Sequence, residues 1–84
     1  MDSSLDITLT FELREIAALV KSAINDESAR KTLPPTFAVI DWSDADELSD
    51  ALFEAIVETV AAAHGLDDEQ IARLVLLADR VIDI

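Results

Sequence analysis

The sequence predicts a small α+β (or small α/β) domain of order β-α-β-α-α, with a two-stranded sheet covered by three helices. Three observations carry that expectation. Leu5, Ile7, Leu9 and Phe11 alternate with Asp6, Thr8, Thr10 and Glu12, the period of two that marks a half-buried strand. The run Phe37-Ala38-Val39-Ile40 is short, apolar and bounded by Pro34-Pro35 before it and Asp41 and Ser43 after it, as a more buried strand would be. Elsewhere the apolar residues recur at helical spacing between recognisable start and stop signals.

The first strand covers residues 5–11. At Leu13 the period changes: Leu13, Ile16, Ala17, Val20, Ala23 and Ile24 fall on one helical face opposite Arg14, Glu15, Lys21 and Ser22, which predicts a helix over 13–25. Pro34-Pro35 stops any helix and holds Leu33 extended, and the second strand covers 36–41. The connection of roughly 24 residues between the strands is long enough for a crossover helix and a parallel pair. Ser43 is the expected N-cap of a long helix over 44–64, with Asp44, Asp46 and Glu47 in its first turn, where the macrodipole favours negative charge. Gly65, the only glycine, should end that helix in the left-handed conformation. Asp67 and Gln70 make a capping box, with Leu66 and Ile71 placed as a hydrophobic staple, so the last helix covers 68–82. Its apolar residues, among them Leu74, Val75, Leu76 and Leu77, cover more than one face, which predicts a central or an interface helix. The alternative fold is an all-α helical bundle in which the first helix extends back towards Leu5.

With 84 residues, residues 1–84 read as a single small domain, near the size at which one core is only marginally sufficient. A lone two-stranded sheet is marginal in water as well, so a free strand edge favours pairing with a second copy, a homodimer. The 51% apolar content is that of a folded chain despite a net charge of −12. There is no cysteine, which removes disulfides, thiol nucleophiles and thiolate metal sites. The amino terminus carries Asp2 and Asp6 and reads as a mature start rather than a signal peptide. No apolar run approaches the roughly 20 residues that span a bilayer, and acidic surfaces are repelled by anionic headgroups, so the expectation is a cytoplasmic protein without membrane contact.

The charge is unevenly placed. Residues 32–72 hold ten of the eighteen carboxylates and none of the six basic residues. A field of one sign is a statement about partners: it favours a basic protein surface and excludes direct binding to nucleic acid, whose phosphates require Lys and Arg. The most pointed arrangement is Asp46, Asp50, Glu54 and Glu58, at successive i+4 positions of the predicted 44–64 helix. Like charges so spaced oppose the helix by roughly 0.2–0.5 kcal/mol per pair, and no Lys or Arg in the segment offsets them. The row reads either as a solvated face or as a docking stripe for Arg and Lys of a partner. With Asp44, Glu47 and Trp42 it makes up the candidate partner-binding set. Trp42, between Asp41 and Ser43, is first a core-capping residue at the strand-to-helix corner and second an interface anchor ringed by charge.

Chemistry is undersupplied. Asp41, Asp44, Asp46 and Glu47 crowd a helix start, but the calcium-loop pattern fails, because the twelfth position from Asp41 is Leu52 and no turn glycine is present. His64 is the sole histidine and, next to Gly65, belongs at a helix C-terminus rather than in a metal cluster. It has no signature pairing it to a hydroxyl nucleophile, and a phosphate-binding loop is impossible with one glycine. No enzyme activity and no cofactor are expected.

Size, acidity and a long acidic helix are similar to acyl carrier proteins, and Asp2-Ser3-Ser4-Leu5 contains the letters of their attachment motif. That family needs the serine at the start of a central acidic helix, preceded by Asp and followed by Leu. Here Ser43 follows Trp42 and precedes Asp44, so no attachment site is carried over. The expectation is therefore a non-enzymatic interaction module, an inhibitor or adaptor that docks an acidic helix on a basic surface. In one version, of anti-restriction, anti-CRISPR or immunity type, the carboxylates mimic nucleic acid. The alternative is a self-associating assembly subunit whose charge serves solubility.

Overall fold

Leu5, Leu9 and Leu13 stand four residues apart, and this row rather than the alternation decides the amino-terminal structure. In the computed structural model, which describes residues 3–44 and 46–82, they lie on one face of α1, Ser3–Ile24. Leu9 and Leu13 are buried, while Ile7 and Phe11 are 70% and 65% exposed. The expected strand over 5–11 and the separate helix over 13–25 are thus one helix. No glycine or proline separates Phe11 from Leu13, and extending an existing helix avoids a second nucleation. Thr8, β-branched, fits because its hydroxyl donates to the Ser4 carbonyl at 3.0 Å.

The remaining elements are a one-turn helix α2, Glu27–Arg30, a 3-10 helix, Pro35–Val39, and two further helices, α3, Leu48–His64, and α4, Asp68–Val81. Among the described residues there is no strand, so the two-stranded sheet is replaced by the all-α alternative. The run 36–41 fails as a strand because it has no partner edge. Pro35 starts a 3-10 helix instead, which buries Phe37 and turns Val39 outward. With the strands goes the structural reason for dimerising through a sheet edge.

α1, α3 and α4 each pack on the other two, and the 3-10 helix covers part of α3. One connected cluster of buried side chains results, including Leu9, Leu13, Val20, Phe37, Leu52, Ile56, Val60 and Leu74. The central helix is α3, not the last helix: α4 buries Leu74 and Ala78 but leaves Val75 and Leu76 exposed. The predicted start of α3 also moves. Ser43 donates its hydroxyl to Asp41 Oδ1 at 2.6 Å and is not the N-cap. Glu47 takes that place, its carbonyl accepting from Ala51 N at 3.0 Å with no side-chain cap, and regular helix begins at Leu48. The reading of the amino terminus at Asp2 lies outside the described residues.

The two predicted caps are present. Asp67 and Gln70 form the capping box of α4. Gly65 is left-handed at φ 59°, its N–H donating to Ala62 O, while Leu66 N donates to Ala61 O at 3.1 Å, so two of the orphan carbonyls of α3 are satisfied. A Cβ at Gly65 would meet nothing within 4 Å, so Gly65→Ala carries only the left-handed backbone cost. It should destabilise by about 1 kcal/mol, read as a lower urea midpoint.

Candidate functional site

α3 is buried on most sides, and along its middle what it exposes is acidic. Between residues 50 and 61 its exposed positions are Asp50, Glu54 and Glu58. They form one row because four residues advance a helix by little more than one turn, about 6 Å. Asp46, the fourth member of the predicted row, sits in the turn before α3 and is not part of it. Asp44 and Glu47 also lie in that turn, where Asp44 Oδ1 accepts from Glu47 N at 3.4 Å.

At Glu54 and Glu58 the row opens into a groove of about 240 Å³ between α3 and the 3-10 helix. Val39 and Ile40 line one wall with Asp41, and Ala51 and Ala55 line the other with the two glutamates. Val39 is 88% exposed although apolar. Asp41 is held at the rim by two hydrogen bonds, from the Ser43 hydroxyl and from Ser43 N at 3.1 Å, and these keep its carboxyl below the usual carboxylate range. Three carboxylates therefore surround an apolar floor. A Lys or Arg side chain suits such a groove, its aliphatic stem lying on Val39 and Ala55 and its charged head among the oxygens.

Trp42 does not line this groove. It is half-buried against the core, and the Arg30 guanidinium stacks over its ring at 4.8 Å. Arg30 in turn donates to the Ala23 and Ile24 carbonyls at 2.8 and 3.0 Å, closing the C-terminus of α1. Among the described residues the ion pairs are His64–Glu12 and Arg73–Asp6, so Asp50, Glu54 and Glu58 have no cationic partner there. No polar or charged side chain is buried among those residues, and no group of three or more possible metal ligands converges. No helix there is long and apolar enough to cross a membrane.

Asp41 and Val39 were not visible as site residues, because only the packing of the 3-10 helix on α3 brings them to the glutamates. The Asp41-Trp42-Ser43 turn signature was the available signal. The chain matches no family model, no curated protein and no solved structure.

The Arg73–Asp6 pair has a consequence for stability. Arg73 bonds Asp6 through Nε at 2.9 Å and through its second nitrogen, and this bonding holds the Asp6 carboxyl below its ordinary range. A depressed carboxylate stabilises the fold fully above its unfolded value near pH 3.9, and the contribution is lost as pH falls through the folded value. Urea midpoints of wild type and Asp6→Asn should therefore differ at pH 6 and converge under acid. A gap independent of pH would contradict this reading.

Proposed function

We propose that the chain is a non-enzymatic interaction module that binds a basic surface of another protein through the Asp50–Glu54–Glu58 strip and the groove beside it. One observation carries the reading: between residues 50 and 61 the central helix leaves one row exposed, and it places carboxylates without counter-charge among the described residues beside the exposed Val39. A solvated face needs no such apolar neighbour. Like-charge repulsion along the strip is relieved by a cationic partner and by nothing among the described residues. Carboxylates exposed on a helix surface suit binding rather than acid–base work, which needs a carboxyl enclosed in a cleft. Partner attraction through such a field is fast and salt-sensitive.

Nucleic-acid mimicry is a special form of this reading, supported by a carboxylate repeat of about 6 Å against about 7 Å between phosphates. The test is capture from nuclease-treated host lysate at about 0.15 M and about 1 M salt, where the Debye length falls from about 8 to about 3 Å. A partner held at low salt by wild type, and lost with Glu54→Lys, is the expected result. Displacement by duplex DNA selects the mimicry form. Capture indifferent to both salt and Glu54→Lys would overturn the reading.

A further inference from the structure

Besides the groove beside the α3 strip, two hollows run along α1, and the rim charges that no ion pair takes up there are opposite in sign to those of that groove. Along α1 a hollow of about 270 Å³ is lined by Ile7, Thr10 and Phe11 between Asp6, whose carboxylate is bonded to Arg73, and Arg14 at the other end. Arg14 continues into a second hollow of about 190 Å³ with Ala18, Lys21 and Val81. This face is an apolar groove with a basic rim, on a chain that has only six basic residues. The groove beside α3 is the reverse: exposed Val39 within an acidic rim. On α4, Arg73 is bonded to Asp6 of α1, while Asp79 lines a hollow with Asp50 of α3.

We propose that the chain associates head to tail with copies of itself, the Val39 face of one copy seated on the Ile7–Phe11 groove of the next, with Glu54 and Glu58 meeting Arg14 and Lys21. This rests on the reading of the α3 strip as a docking surface and names a second copy as an occupant. The contact joins two different faces, so it propagates into a ring or filament instead of closing as a symmetric pair. Net charge opposes approach at long range, but at 0.15 M salt that field decays within about 8 Å, and the touching rims decide. A basic partner protein would compete for the same strip.

Sedimentation velocity on the full chain tests this, with two surface variants, Arg14→Gln/Lys21→Gln and Glu54→Gln/Glu58→Gln, whose helicity is checked by circular dichroism. Over about 10 μM to about 1 mM, the range of weak contacts, wild type should rise to at least twice the monomer mass at about 0.15 M salt and return to monomer at about 1 M. Each variant alone should stay monomeric. Their equimolar mixture retains one acidic and one basic face, so it should form a 1:1 pair and nothing larger. Wild type that stays monomeric throughout, or a dimer that survives in both variants, would overturn the proposal. Salt-sensitive capture of a basic partner would stand in either case, which separates failure of this inference from failure of the docking reading.

Discussion

Leu9→Ala should destabilise the protein by about 2–5 kcal/mol, and Phe11→Ala by no more than about 0.5 kcal/mol. The two residues are neighbours on one face of a strand but lie on different faces of a helix. In α1 Leu9 is 2% exposed within the shared core, and Phe11 points outward. Removing a fully packed leucine costs the transfer free energy of its lost methyl groups together with the cavity left behind. Removing an exposed phenylalanine leaves no cavity. At about 0.05–0.15 kcal/mol per residue, a chain of this size has only about 4–13 kcal/mol in total, so Leu9→Ala removes a large share. The melting temperature should fall by roughly 10–40 °C, at 4–8 °C per kcal/mol for domains this small. Thermal and urea unfolding of the two variants measure the difference, and equal losses would contradict the all-helical amino terminus.

Glu54→Lys should move stability and binding in opposite directions. Glu54 is the middle of the strip, so the substitution turns two repulsive i,i+4 pairs, with Asp50 and Glu58, into two attractive ones. Each pair changes by about 0.4–1 kcal/mol, which gives a gain of about 1 kcal/mol overall and a melting temperature higher by about 4–8 °C at low salt. The gain should fade at about 1 M salt, where exposed charges are screened. The same change removes one charge-assisted contact with a basic partner, worth about 1.5–3 kcal/mol, and weakens capture by roughly 10- to 100-fold. A merely solvated strip predicts the stability gain with unchanged capture.

What was legible in the sequence divides by the range of the interaction concerned. Gly65, the Asp67–Gln70 capping box and the extent of α4 are set within a turn of chain, and each was readable. The row of Asp50, Glu54 and Glu58 was readable because i+4 spacing survives any small shift of the helix start. Leu5 to Phe11 was not, because the same residues satisfy a strand through 5, 7, 9 and 11 and a helix through 5, 9 and 13. Packing against α3 and α4 selects the second. Four apolar residues at 37–40 carry too little periodicity to separate a strand from a single 3-10 turn. The place of Asp46 depended on the helix start, which the Asp41–Ser43 hydrogen bonds displace. The groove itself, in which Val39 and Asp41 meet Glu54 and Glu58, comes from a tertiary contact with no local signature.

The central claim is that this groove, and not the acidity of the chain as a whole, receives a cationic side chain. Amide chemical shifts of the uniformly ¹⁵N-labelled protein, titrated with a short arginine-rich peptide at about 0.15 M salt, test it most directly. Shifts concentrated at Val39–Asp41, Ala51, Glu54, Ala55 and Glu58, and abolished in Glu54→Lys, are the predicted result. Shifts spread evenly over every carboxylate, including Asp67, Asp68 and Glu69, and unchanged in the variant, would contradict it.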